Sequence, residues 1–180
     1  MDFKVGIGES DFASLRKEKV CYVDKTEIVY ELVNDTKNKV TLFTRPRRFG
    51  KTLMMSMIEN FFSINKDSKD IFDRLAITEH KDFCNEWMNQ YPVLFISFKD
   101  VDGLDFEGAY GMLTYTISDF CKKITDIEDM TSVNNSDREI FRHLISRSAD
   151  EAEVKSSLKT IMRMMSAVYG KKVILLIDEY

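Results

Sequence analysis

Cysteine is scarce in this 180-residue chain, and the three present, Cys21, Cys84 and Cys121, are far apart, odd in number and in no ligand-spaced pair. That pattern excludes a disulfide framework or a thiol zinc site and predicts buried thiols in a reducing cytosol. The two histidines, His80 and His143, are isolated and belong to no zinc-hydrolase motif, so surface or core-edge roles are expected of them. Long apolar runs are missing. The longest near the far end is Val173 to Ile177, and the opening Met1-Asp2-Phe3-Lys4-Val5-Gly6 lacks the basic-then-apolar order of an export signal. Neither export nor membrane insertion is expected, which leaves the cytoplasm. No excess of one charge sign exists either: 26 basic against 30 acidic residues give a formal charge of -4, so the overall field does not attract nucleic acid, although a local basic patch can. The single Trp87 marks no sugar or base platform, and Ser10 and Ser97 lack the histidine partner that acyl transfer requires.

What remains is an ordinary globular composition, 44% apolar and 31% charged, at the length of about one domain. The stretch to about Val23 mixes Gly6, Gly8 and charged residues with scattered apolar ones and is expected as an ordered arm rather than a deep core element. Asp24 and Glu27 have capping-box spacing before a helix that buries Ile28, Val29 and Leu32 and ends over residues 34–38. Residues 39–44 read as a short strand, and Lys51 to Phe62 as a helix rich in Leu, Met and Phe. A polar connection follows, then a helix over 79–89. Pro92 to Phe98 is a second strand, with proline tolerable only near its start. Helical patterns occupy 106–124, a short stretch with Ile140, Leu144 and Ile145 capped by Ser136 and Glu139, and 153–169, stopped by Gly170. Residues 171–177 form a third strand whose saturated apolar run suits a central parallel position. Strands separated by helices predict an α/β fold, with a parallel sheet covered by helices and the strand carboxyl ends, hence any ligand crevice, on one edge.

Two motifs are expected on that edge. Arg45-Pro46-Arg47-Arg48-Phe49-Gly50-Lys51-Thr52 has the Gly-Lys-Thr end of a P-loop, the Walker A motif, but arginine where the first glycine normally stands. In a strand-loop-helix setting Gly50 lets backbone amides close on phosphate, Lys51 reaches the terminal phosphates, and Thr52 offers a hydroxyl to Mg²⁺. Arg47 and Arg48 either add positive potential at the loop mouth, face solvent, or pair with acidic neighbours. The second motif, Val173 to Glu179, is the Walker B arrangement: five apolar residues and then two carboxylates, with Asp178 placed to orient magnesium or its water and Glu179 to polarise the attacking water. Either motif alone also fits a plain loop or a solvated strand end. Both in this order, each at a strand end, point to one phosphate site.

These residues, together with Tyr22-Val23-Asp24-Lys25-Thr26, Tyr91-Pro92-Val93 and Leu176-Ile177-Asp178-Glu179-Tyr180, closely resemble the AAA-ATPase-like family over nearly the whole chain. In that family Arg45 at the first loop position is normal. The resemblance implies a three-layer P-loop NTPase fold of the additional-strand type, ATP as the nucleotide, Mg²⁺ at Thr52 and Asp178, Lys51 and Glu179 as catalytic residues, and residues 47–52 around the nucleotide. It also implies that residues 1–180, with an arm at about 1–23, are the N-terminal part of the nucleotide-binding domain. The expected remainder, the rest of the sheet and often a nuclease-like domain of the restriction-endonuclease type, would be the partner that ATP hydrolysis drives or regulates. An ATP-responsive module with little hydrolysis is the alternative. Direct engagement of nucleic acid through Arg45, Arg47 and Arg48 is a third, with net acidity against it.

Overall fold

Helices dominate because apolar residues recur at three- and four-residue spacing over most of the chain, while near-continuous apolar runs occur at only a few places. The computed structural model describes residues 8–35, 39–44, 46, 49–128 and 130–179, which divide between two compact units, Met1–Val93 and Leu94–Tyr180.

The first unit holds α1 (Phe12–Lys17), α2 (Glu27–Asn34), α3 (Lys51–Phe62), α4 (Lys69–Phe72), a 3-10 turn (Ala76–Glu79) and α5 (Lys81–Trp87). Its core is aromatic. Phe61 meets Phe62, Phe72 and Phe83 at centroid distances of 5.1, 5.4 and 5.8 Å, and Phe83, Trp87 and Tyr91 continue as a stack. The opening stretch corrects one expectation: Phe12 and Leu15, three apart on α1, are buried, and the Phe12 ring lies 4.9 Å from Phe72, so this segment is core and not merely an arm. Six residues were too few for its helical period to show in the sequence.

Asp24 does not cap α2 either. Its Oδ1 accepts from the Thr26 amide and hydroxyl at 2.9 and 2.7 Å, and its Oδ2 accepts from the Ala76 amide at 2.7 Å, tying the entry of α2 to the 3-10 turn. Burial pushes the Asp24 carboxyl up, but the amides of Ala76 and Thr26, the Thr26 hydroxyl and the Arg16 charge outweigh it and hold the group below its ordinary range. Glu27, freed from the expected box, lies 2.8 Å from His80 Nε2, and the His80 ring stacks on Tyr30 at 3.9 Å.

The predicted strand at 39–44 is not formed. Val40 is 86% exposed and Leu42 is exposed too, and none of these residues joins a ladder. A β-favouring pattern becomes a strand only when a neighbour takes up its backbone groups, and among the described residues the only named strands pair with each other.

Those strands belong to the second unit's small sheet: β1 (Val93–Ser97) and β2 (Ile174–Asp178) lie parallel, joined through α6 (Phe106–Lys122), a 3-10 turn (Thr125–Ile127), α7 (Asn135–Ser146) and α8 (Glu151–Tyr169). The long helical connection is what a parallel pair demands. Leu94 and Ile96 on β1 pack with Ile117, Phe141, Ile161 and Met164 from the three helices. The mixed helix and parallel-sheet character matches the α/β expectation. Pro92 sits just outside β1, and Gly170 takes a left-handed φ of 64° where α8 stops.

The cap of α7 differs from expectation. Asn134, not Ser136, accepts from the Asp137 amide at 2.8 Å, whereas the true capping box lies unpredicted at α8, between Asp150 and Glu153. Of the thiols only Cys121 is buried, and burial pushes it up to about 12; Cys84 is half-buried and Cys21 exposed, which corrects the expectation of three buried thiols. His143 Nδ1 lies 2.9 Å from Glu153, whose hydrogen bond raises the imidazole above its ordinary value. Among the described residues no helix is long and apolar enough to cross a membrane.

One buried carboxylate gives the second unit a pH dependence. Asp137 accepts from Arg163 Nε at 3.1 Å, makes a second contact with Arg163 Nη2, and accepts from Asn134 Nδ2 at 2.7 Å. The Arg163 hydrogen bond holds the Asp137 carboxyl below its usual range against the opposing effect of burial, with Asn134 adding to the lowering. A depressed folded-state value contributes stability above the unfolded carboxylate range and loses it as the pH falls through the folded value. Asp137→Asn is therefore expected to lower stability at neutral pH and to flatten its decline on acidification. Urea unfolding followed by circular dichroism checks this, and parallel pH profiles for the two proteins would refute it.

Candidate functional site

The start of α3 is set by one residue. Gly50 has φ 74° and ψ 28°, the left-handed conformation that side chains resist, and its carbonyl accepts from the Met54 amide at 2.9 Å to close the first turn. A Cβ built on Gly50 meets nothing within 4 Å, so the requirement for glycine is conformational and not a matter of space. Lys51 and Thr52 are then the first two residues of the helix, both half-buried, while Phe49 stands exposed before them. Arg45, Arg47 and Arg48 lie outside the described residues.

The electrostatics of this helix end differ from those of the others. α2, α4, α5, α6, α7 and α8 each carry an acidic residue in the first turn, and α1 is capped by Asp11, which accepts from Ser14 at 2.6 Å. Among the described residues α3 alone has neither an acidic first turn nor a capping side chain. The positive end of its dipole is thus met by no carboxylate of its own and is reinforced by Lys51.

Farther along α3, polar groups hold it in place. Ser56, four residues beyond Thr52 and so on the same face, accepts from the Phe12 amide at 3.0 Å and donates to Asp11 Oδ2 at 3.3 Å. Asn60 donates to the Ser56 carbonyl at 2.7 Å, and Asn89 donates to the carbonyls of Asn60 and Ser63 at 3.1 and 2.9 Å. Sequence reasoning missed this chain. Ser56 and Asn60 interrupt an otherwise apolar helix face, which was the one available signal.

In the second unit Asp178 closes β2 and is only 4% exposed, and its carbonyl accepts from the Phe98 amide at 3.0 Å. The parallel strands therefore finish side by side at one edge of the sheet. Glu179 follows, exposed, with φ 52°. Lys19, Arg74, Asn89 and Arg147 share a positive φ, but each follows a helix, where a left-handed residue is the common stop. Among the described non-glycine residues Glu179 is the only one that adopts this conformation after a strand, and such local strain is often found at functional turns. Tyr180 lies outside the described residues. The first unit thus carries a lysine-bearing helix start with no side-chain cap, and the second an acidic strand end.

A family model described as Predicted AAA-ATPase matches residues 6–180. The chain is also 26% identical, over 181 aligned residues, to a protein of Azotobacter chroococcum mcd 1 described as an uncharacterized protein in the vnfD 5' region. That alignment covers 98% of this chain and 29% of the other, so the chain spans less than a third of the length of this relative. No solved structure matches the chain.

Proposed function

The chain belongs to the predicted AAA-ATPase family, and on that premise we propose that it binds ATP with magnesium at the start of α3 and contributes Asp178 and Glu179 to hydrolysis. The observation that carries this reading is the helix end at Gly50, Lys51 and Thr52, which alone lacks an acidic residue or a capping side chain among the described helices. The amides of a helix start and its positive dipole end favour phosphate, and an acidic residue in the first turn would repel it.

The roles follow from residue chemistry. Gly50 holds the backbone turn, Lys51 donates to the terminal phosphates, and Thr52 and Asp178 offer the hard oxygen donors that suit Mg²⁺. When bound, the ion neutralises charge that develops on the phosphate oxygens. Glu179 orients and deprotonates water from a backbone conformation held away from the ordinary strand path. In the same reading Arg47, Arg48 and Phe49 contribute to nucleotide binding. We extend the reading to architecture: the small sheet is part of a three-layer, additional-strand P-loop fold. Residues 1–180 are the N-terminal part of that cytoplasmic domain, and its hydrolysis drives or regulates a downstream module, a nuclease-like domain being one such partner.

A second reading is an ATP-responsive module with little turnover, in which Glu179 does not act as a general base. Both readings require magnesium-dependent ATP binding. Calorimetric titration of the chain with and without magnesium tests them. Thr52→Ala is expected to leave magnesium-free binding unchanged and to reduce the gain from magnesium by about tenfold, the scale of one lost contact to a charged group. An undiminished magnesium gain would remove Thr52 from the site, and no ATP binding by the wild-type chain would end both readings.

A further inference from the structure

The loop between β1 and α6 displays apolar side chains to solvent within an acidic run. Leu104 is wholly exposed and Phe106 is 79% exposed, and Asp100, Asp102, Asp105 and Glu107 surround them in sequence. The loop is held in shape. The Val101 amide donates to the Phe98 carbonyl at 2.9 Å, and Asp105 Oδ1 accepts from the Gly108 amide at 2.8 Å to cap α6. A Cβ on Gly103 would stand 2.3 Å from the Ala109 nitrogen, so the backbone here presses directly on the first turn of α6 and only glycine fits. Phe106 stacks on Tyr110, one helical turn on, at 5.8 Å. Two large apolar side chains are thus presented outward by a braced turn, a costly arrangement in water without a partner.

We propose that this loop is a docking surface for a polypeptide segment that carries lysine or arginine beside an apolar side chain. The charge pattern selects that occupant. Four carboxylates around Leu104 and Phe106 repel nucleic acid and anionic lipid, and burying them under an apolar surface of the same chain would strand their charge. A basic segment neutralises the carboxylates while its apolar side chain covers Leu104 and Phe106. The surface lies in the second unit, uses neither Lys51 nor Thr52, and goes beyond the nucleotide reading.

Fluorescence anisotropy without nucleotide tests it, using the wild-type chain and three labelled synthetic peptides that alternate Lys with Leu, Lys with Ser, and Glu with Leu. The Lys-Leu peptide is expected to bind about tenfold or more tightly than either control, and a Leu104→Ser, Phe106→Ser variant to lose about that factor for the Lys-Leu peptide alone. Both residues are exposed, so an unchanged circular dichroism spectrum and melting curve confirm that the variant folds. Asp100→Asn with Asp102→Asn should weaken binding and reduce its salt dependence. Equal binding of the Lys-Leu peptide by wild type and the serine variant would overturn the proposal. So would wild-type self-association that the serine variant abolishes, since a second copy would then be the occupant.

Discussion

Lys51→Ala is expected to lower affinity for magnesium ATP by a hundredfold or more, about 2.7 kcal/mol. The loss follows from what surrounds the residue. α3 presents amides and a dipole end to phosphate but no second charged side chain in its first turn, so the ammonium group is the principal positive charge that the helix itself supplies. A melting curve recorded beside the titration separates a loss of binding from a loss of folding. Affinity within about threefold of wild type would remove the central claim.

Glu179→Gln, made in the full-length protein, is expected to slow phosphate release by about a hundredfold or more and to leave ATP affinity within about threefold. The amide keeps the size of the carboxylate and its hydrogen-bonding reach but cannot take a proton from water. Glu179→Gly supplies a useful contrast. Glycine relaxes the left-handed φ of 52°, so it should stabilise the turn by about 1 kcal/mol while still abolishing turnover. Unaltered phosphate release in the glutamine variant would return Glu179 to the role of a solvated turn residue. A full-length wild type that binds ATP without releasing phosphate would instead favour the switch reading.

The elements most legible in the sequence were those whose patterns are long or saturated. The helix at Lys51–Phe62 has its predicted bounds, and α6, α8, β1 and β2 lie within a few residues of theirs, because each carries enough apolar positions to state its period and its buried face. Short-range capping was less legible. Asp24 and Glu27 have the correct spacing for a reciprocal cap, yet partners about fifty residues away, Ala76 and His80, claim them instead. Local spacing cannot register such competition. Residues 39–44 show the complementary failure: alternating β-branched and apolar residues record a preference for a ladder, but pairing depends on a neighbour that local sequence does not identify. At the candidate site the residue types and their order were visible in advance. The uncapped first turn of α3 and the positive φ of Glu179 are features of the folded backbone that no local sequence pattern states.

The stack of Phe83, Trp87 and Tyr91 gives the molecule an optical handle. Trp87 is the sole indole in the chain, and its ring lies 4.8 Å from that of Tyr91 at an interplanar angle of 15° within the first unit. Its emission under selective excitation therefore reports the integrity of the aromatic stack within residues 1–93, while far-ultraviolet dichroism reads helices throughout the chain, so the two together can resolve whether the chain unfolds in one cooperative event or two.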